Sequence, residues 1–419
     1  MVVGFALFSM FFGAGNMIFP PYLGMQAGTA WISGFLFYFV ADIGLAMLAM
    51  FAILRCDGTE AITAPIGKIP ARVLMSAIVL CIGPMLAIPR TAATTYEMSI
   101  APLTSAVSPV VFSVLFFALI LALSVRESAV VDIVGKVLTP LLLIGLFVLI
   151  LKGIISPLGK ITHAPVVSSV AATGIRSGYQ TMDVLAAMVF GILILKSAQD
   201  KGYGEGSGRT RMVGGAAGLA GVLLLLVYLG LTHLGATVAD RFSFEVTRAE
   251  LVIRIVDMLL GRAGLVIFGV VVALACITTA VALVSSAASF FAELLGGRVR
   301  YSVLVIITCV FSAVVANLGL DRIVAIASPI LSIVYPPTLV LIVLSFFGRR
   351  VPSGVHRASV AGALLVSGLN VVSHGGVWLP ALRRLPLASL DLGWVVPALA
   401  FGLVAWVVTR LRGGKAKST

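Results

Sequence analysis

Three charged side chains stand inside long apolar stretches of this 419-residue sequence: Asp42, Arg90 and Asp183. A charge among apolar neighbours is costly unless it is paired, neutralised or put to use. Asp42 could carry a proton, or it could be protonated or paired with Arg90 for a structural purpose. Arg90 could clamp a carboxylate through its planar donor fork, form a salt bridge, or lie near the mouth of a cavity.

Two adjacent hydroxyls, Thr278 and Thr279, mark a second candidate site in another apolar segment. Hydroxyls in a helix can bond to carbonyl groups of the same helix, which would give them a purely local role. They are also oxygen ligands of the type that hard cations prefer. The pattern leaves both a cation site and a structural role open.

The composition shows which kind of molecule must position these groups. The chain is 60% hydrophobic and 11% charged, with a mean hydropathy of +1.15, whereas a soluble domain carries about 25% charged residues. A water-soluble fold is excluded, and the polar intervals are too short for a second domain. We therefore predict one all-α integral membrane domain over residues 1–419.

Apolar stretches of roughly 20 residues, the length that crosses a bilayer, recur along the whole chain. The first is not a cleavable signal peptide, because it lacks a basic leading region and a small-residue cleavage site. With no basic residue before it, we expect the natural start to lie a few residues upstream of Met1. The twelve predicted spans are 3–25, 30–54, 73–96, 105–124, 132–151, 178–195, 212–235, 262–292, 301–318, 322–347, 358–373 and 390–409.

In a soluble protein the net charge of +13 would suggest nucleic-acid binding. In a membrane protein the distribution of that charge reports orientation. Eighteen of the 29 Lys and Arg residues fall on the side shared by the even-numbered connections and the C-terminal tail, and ten fall on the other side. Cytoplasmic loops are enriched in Lys and Arg. We predict an inner-membrane protein with both termini in the cytoplasm and no nucleic-acid partner.

The first and sixth spans are interrupted. Residues 8–21 contain two glycines, an asparagine and a Pro-Pro pair, and residues 178–191 are polar in their first turns. Glycine and proline disfavour a continuous helix, and unwound backbone at membrane depth survives only where it lines protein or a cavity. We predict a binding site between two broken helices, with a simple kink packed by small residues as the alternative.

The sequence contains no phosphate loop, HExxH, GxSxG or aspartyl-phosphate motif, so it predicts no nucleotide partner and no enzyme. The four cysteines and four histidines are dispersed, without the spacing of a metal site. Energy for any transport should come from an ion gradient.

Five segments of the sequence resemble the branched-chain amino acid:cation symporter family (the BrnQ type), within the broader group that has the LeuT-type fold. The likeness is spread over much of the chain and is strongest in the first two. They are GFALFSMFFGAGNMIFPPYLG at 4–24, GPMLAIPRTAATTYEMSIAP at 83–102, GYQTMDVLAAMVFGILI at 178–194, CITTAVALVSSAASFF at 276–291 and SPILSIVYPP at 328–337.

The resemblance implies a LeuT-type 5+5 inverted repeat with discontinuous helices 1 and 6. The repeats would occupy about 1–157 and 158–348, and two peripheral helices would follow at 349–419. It also implies a substrate site at the two breaks, with Arg90 as a second-rank candidate for substrate binding. A Na⁺ site is implied at the eighth span. The substrate residues are Gly13, Ala14, Gly15, Asn16, Thr181, Met182 and Asp183; the Na⁺ ligands are the hydroxyls of Thr278 and Thr279 and the main-chain oxygens of Ser9, Phe12 and Ala275.

The implied function is import of leucine, isoleucine and valine with a cation, usually Na⁺, and without a covalent cofactor. Asp42 keeps a second possibility open, because a carboxyl group at the centre of the second span could move a proton instead. The remaining alternatives are a proton-coupled transporter of another amino acid or amine and, from a different class, a passive channel.

Overall fold

The computed structural model describes residues 2–125, 139–200, 207–242, 245–374, 382 and 384–415. Within these ranges every regular element is a helix. Six stretches are long and apolar enough to cross a membrane, and four further apolar helices have 10–17 residues. Because a helix satisfies its own backbone hydrogen bonds, it is the element that a bilayer interior accepts.

Seventeen α-helices are defined in the described part of the chain. In order they are α1 (Val2–Phe11), α2 (Ala14–Ala27), α3 (Trp31–Phe39), α4 (Leu45–Cys56), α5 (Thr59–Thr63), α6 (Lys68–Leu80), α7 (Ala87–Thr95), α8 (Pro109–Ser124), α9 (Thr139–Ile155), α10 (Val170–Thr181), α11 (Asp183–Asp200), α12 (Ser207–Ala236), α13 (Arg248–Leu294), α14 (Tyr301–Ala316), α15 (Leu320–Ser345), α16 (Ser353–His374) and α17 (Val395–Lys415).

Each of the twelve predicted spans falls on one of these helices or on a consecutive pair. The second span is α3 and α4, joined by a π-helical segment at Val40–Gly44. The eighth begins where α13 kinks, at Gly261. The start of the fifth span, residues 132–138, lies outside the described residues. The first and sixth spans are each two helices, α1 with α2 and α10 with α11, which confirms the predicted interruptions.

The interrupted helices lie in the middle of the bundle. Helix α2 packs against α12, α10 and α13, while α11 packs against α4. Helices α16 and α17 pack mainly against each other, and α16 also packs against α15. The broken pair is therefore enclosed by other helices, and the last two helices are peripheral.

Large apolar side chains face outward on the outer helices. Val310 and Val314 on α14 are 60% and 69% exposed, and Leu403 on α17 is 62% exposed. A soluble monomer rarely exposes contiguous apolar surface of this kind. This surface suits contact with lipid tails.

Helices α2 and α12 meet backbone to backbone at two glycines. A Cβ atom on Gly24 would collide with the carbonyl oxygen of Thr232, and one on Gly235 would collide with the carbonyl oxygen of Pro21. Small residues are what permits such close approach of helices in membranes. A methyl group here meets main chain, which cannot move aside as a flexible side chain could.

Gly235→Ala should therefore destabilise the protein by about 1–3 kcal/mol, the usual cost of overpacking. Gly218 on the same helix is the matched control, because its Cβ would meet nothing within 4 Å. Gly218→Ala should be neutral or slightly stabilising, since alanine favours a helix. Thermal unfolding of each purified variant in detergent measures its stability. Equal unfolding temperatures for the two variants would contradict the tight contact.

Candidate functional site

The first break consists of Phe12 and Gly13, between α1 and α2. Gly13 is extended, with φ −105° and ψ −172°. The carbonyl oxygen of Phe11, left free by the break, accepts the Gly13 N–H at 2.9 Å and the side-chain amide of Asn16 at 3.0 Å. The two donors belong to residues two and five positions after Phe11. The carbonyl is therefore satisfied locally, and the break is short.

This break is narrower than the sequence predicted. Ala14, Gly15 and Asn16 were expected in unwound backbone, and they instead form the first turn of α2. Their N–H groups lie at the positive end of a helix. Gly15 packs against Arg90, since a Cβ there would stand 2.8 Å from the guanidinium Nη2.

The second break is a single residue, Met182, between α10 and α11. Its φ of 69° and ψ of 15° are left-handed, a conformation that costs a non-glycine residue about 1–3 kcal/mol and needs support from its surroundings. The hydroxyl of Thr181, just before it, lies 2.5 Å from the Gly178 carbonyl oxygen and 2.7 Å from the Asp42 carboxylate, so its single proton is shared between these acceptors. The predicted position of the break, near 181–183, is confirmed.

Arg90 supports this break from α7. Its guanidinium donates to the carbonyl oxygens of Gln180 at 2.6 Å and Thr181 at 3.2 Å, and the residue is 4% exposed. The last carbonyls of a helix lack partners within the helix and form the negative end of its dipole. Arg90 therefore caps α10. In the described part of the chain no ion pair joins Arg90 to Asp42.

The side chain of Asn16 connects the two breaks through hydrogen bonds. Its side-chain amide donates to the Asp183 carboxylate at 2.8 Å and also contacts the Tyr228 hydroxyl of α12. Asp183 is the first residue of α11, where a carboxylate is favoured by the helix dipole. The starts of α2 and α11 are thus held side by side.

A cavity lies between the breaks. It brings together all the predicted substrate residues except Gly15. The lining also contains apolar residues, which sequence reasoning missed because apolar residues occur everywhere in this chain. The predicted residues in the lining are Gly13, Ala14, Asn16, Arg90, Thr181, Met182 and Asp183; the apolar residues include Ile82, Phe190 and Leu283.

The predicted ion ligands divide between two cavities. Ser9, Ala275 and Thr278 line a smaller one, where the Thr278 hydroxyl donates to the Ala275 carbonyl at 2.8 Å. Thr279 lines the larger cavity instead, and its buried hydroxyl has no hydrogen-bond partner among the described residues. Neighbouring residues on a helix point about 100° apart, which separates the two hydroxyls. Phe12 is buried and lines neither cavity.

A cluster of charged and aromatic groups adjoins Arg90, and no pattern in the sequence indicated it. Phe19 lies 5.9 Å from the guanidinium carbons of both Arg90 and Arg248. Arg248 also lies over Tyr22 and forms an ion pair with Asp321. Residues from α2, α7, α13 and α15 therefore meet in this cluster.

Comparison with known proteins identifies the family. A family model described as branched-chain amino acid transport protein matches residues 1–412. The chain belongs to this family of branched-chain amino acid transport proteins.

Its relatives include two curated bacterial members. The chain is 36% identical to the branched-chain amino acid permease BrnQ of Salmonella typhimurium, over 100% of this chain and 97% of that protein. It is 37% identical to the branched-chain amino acid transport system 2 carrier protein of Pseudomonas aeruginosa, over 99% and 96%. As its relatives are permeases and carriers, this family member is a membrane transporter and not an enzyme.

Solved structures establish the fold of the family member. A Na⁺-coupled sialic acid symporter in a substrate-bound outward-open state matches with a TM-score of 0.61 at 13% identity, over 97% of this chain and 89% of that one. MhsT in complex with L-phenylalanine matches with a TM-score of 0.56 at 17% identity, over 98% of both. The predicted LeuT-type fold, with discontinuous helices 1 and 6, is confirmed.

Proposed function

We propose that this protein is a secondary active symporter that imports leucine, isoleucine and valine by alternating access, coupled to a cation gradient and most directly to Na⁺. The observation that carries the proposal is the cavity between the two breaks. It offers positive, negative and apolar surfaces to one small molecule. The names of the relatives, which are branched-chain amino acid permeases and carriers, agree with that reading.

The polar end of the cavity suits a zwitterion. N–H groups at the start of α2, at Ala14 and Gly15, attract a carboxylate. The Asp183 carboxylate and the carbonyls at the end of α10 attract an ammonium group. Arg90 holds those carbonyls in place, so the proposal gives it a positioning role in the substrate site.

The other end of the cavity suits an aliphatic side chain. Ile82, Phe190 and Leu283 offer no hydrogen-bonding side-chain atom. An apolar wall discriminates a single methylene by only about 1–3 kcal/mol. Leucine, isoleucine and valine should therefore share one site and compete with one another, whereas tryptophan and putrescine should compete poorly.

We place Na⁺ at the smaller cavity, where Ser9, Ala275 and Thr278 converge. Hard cations prefer oxygen ligands, and the Thr278 hydroxyl with the main-chain oxygens of Ser9 and Ala275 supplies them. The hydroxyl of Thr279, which lines the larger cavity, and the main-chain oxygen of Phe12, which lines neither cavity, are the two further ligands that the family resemblance proposes.

The experiment is uptake of radiolabelled leucine into proteoliposomes under an imposed Na⁺ gradient, a proton gradient or neither. Thr278→Ala/Thr279→Ala should raise the Na⁺ concentration for half-maximal uptake about 10-fold or more, as loss of ligand support does in other metal sites. Thr308→Ala is the matched control, because Thr308 is a buried threonine of α14 that lines neither cavity.

Three other outcomes of the uptake experiment would each indicate a different function. Proton-driven accumulation that the double variant leaves intact would move coupling to Asp42 and favour a proton-coupled transporter. Flux that never exceeds equilibrium under any gradient would identify a passive channel. Accumulation of an aromatic amino acid or an amine, without competition by leucine, would reassign the substrate.

We also propose the inner membrane as the location, with both termini cytoplasmic, from the excess of Lys and Arg on one side of the bundle. The repeats would then run over about 1–157 and 158–348, followed by the helices of 349–419. Accessibility of single cysteines to a membrane-impermeant thiol reagent in intact cells tests the orientation.

A further inference from the structure

Two buried carboxyl groups meet behind the proposed substrate site. Asp42 lies in the π-helical segment Val40–Gly44 and Asp183 begins α11; they are 0% and 4% exposed. Thr181, whose hydroxyl binds Asp42, lies only two residues before Asp183, so the two carboxyl groups are close enough to influence each other. One oxygen of Asp42 accepts the Thr181 hydroxyl, and one oxygen of Asp183 accepts the Asn16 amide. The contact links the second span to the break in the sixth.

The groups that face the pair come from six helices, with Thr181 of α10 among them, and within the described residues only one of these groups is a cation. Tyr38 of α3, Tyr228 of α12 and Tyr335 of α15 contribute phenol hydroxyls, and Asn16 of α2 contributes an amide. The cation is Arg90 of α7, which donates two hydrogen bonds to main-chain carbonyls. Two ionised carboxylates and one guanidinium would leave a net negative charge at membrane depth, which is costly. One monovalent cation neutralises it.

Two polar atoms beside the pair lack partners. The second carboxyl oxygen of Asp42 and the Tyr38 hydroxyl are buried and make no hydrogen bond among the described residues. Tyr38 nevertheless faces Asp42, and the two side chains interact with each other. Buried polar atoms without full hydrogen bonds are expensive, and a proton on Asp42 would give its second oxygen a hydrogen bond to make. Asp42 lines neither cavity, which favours a ligand that needs no space of its own.

We propose that Asp42 and Asp183 share one exchangeable proton and so form a second cation site, separate from the oxygen cluster at Ser9, Ala275 and Thr278. The proton bridges the two carboxyls, which otherwise repel each other. The inference rests on the proposed function in one respect: Asp183 also lines the substrate cavity. An ammonium group bound to Asp183 then competes with the proton, which leaves to water.

Infrared spectroscopy of the purified full-length protein tests the shared proton directly. The wild type should show the carbonyl band of a protonated carboxyl group, which shifts in D₂O and disappears at alkaline pH. Asp42→Asn should abolish this band, because the asparagine amide donates to Asp183 in place of the proton. Glu97→Gln is the matched control: Glu97 is another carboxyl group in a span, bound instead to the Leu320 N–H at 2.9 Å. It should leave the band unchanged.

Proton counting gives a second measurement. Adding leucine to the wild type in weak buffer should release about one proton per protein, as expected for a site that titrates as a unit. Asp42→Asn should release none. If Asp42→Asn does not fold, Asp183→Asn replaces it for the spectrum alone. A band that persists in the variant, or that Glu97→Gln removes, would overturn the proposal.

The two proposals fail separately. If the band is lost in Asp42→Asn but leucine, isoleucine and valine neither bind nor accumulate, the proton site stands and the proposed transport function is wrong. If leucine accumulates and wild type and variant have identical spectra across the pH range, the transport function stands and the shared proton is wrong.

Discussion

Arg90→Gln should lower leucine uptake by about 100-fold, the scale of effect that a small misplacement of site groups produces. The shorter neutral side chain cannot reach the carbonyls of Gln180 and Thr181 together, and the left-handed Met182 loses its support. Arg90→Lys should recover part of the activity, because it restores the charge but not the planar fork. Initial rates in proteoliposomes measure both variants.

Arg254→Gln is the matched control for this change. Arg254 forms a pair with Glu250 one turn away on the same helix, and its side chain is 52% exposed. Exposed pairs of this type contribute at most about 1 kcal/mol, so its uptake should stay close to that of the wild type. Leucinol, which lacks the carboxylate, separates capping from a carboxylate clamp. If Arg90→Lys loses the preference for leucine over leucinol, Arg90 binds substrate and the capping role is wrong.

Asn16→Ala should reduce uptake by a similar factor of about 100, because it removes the group that aligns the two breaks. The substitution leaves the Phe11 carbonyl, the Asp183 carboxylate and the Tyr228 hydroxyl each without the amide that they contact. Leucine binding to the purified protein should weaken along with transport, since the starts of α2 and α11 both face the substrate.

The control is Asn317→Ala. Asn317 follows α14 and bonds to Ser113 and to the Ala313 carbonyl, away from both cavities. Its replacement should leave uptake within about twofold, as for most surface changes. Equal losses in the two variants would indicate a general effect of removing a hydrogen-bonded side-chain amide and would contradict the aligning role of Asn16.

The sequence predicted the spans and the positions of both breaks because those depend on local composition. Runs of apolar residues define helices that cross a bilayer, and glycine weakens a helix wherever it occurs. The extent of the first break was less predictable. Pro20 and Pro21 would be expected to interrupt a helix, but α2 continues through both to Ala27, so the break stays at Gly13.

The partners of the charged side chains were not predictable from local pattern. Thr181 and Asp42 are 139 residues apart, and Arg90 meets carbonyls that every residue carries. A main-chain acceptor leaves no trace in the sequence, so the capping role of Arg90 could not be distinguished from a clamp or a salt bridge. The separation of Thr278 from Thr279 likewise depends on how α13 is rotated in the bundle.

The backbone contact between α2 and α12 at Gly24 and Gly235 has a mechanical consequence. Two helices whose main chains touch at two points cannot slide or roll past each other without a steric clash, so these segments form one lever. Any rocking that exposes the central cavity must carry the start of α2 together with this part of α12. Main-chain torsions can change without breaking a helix at Phe12 and Gly13, which lie between α1 and α2, so we expect any hinge of that lever there.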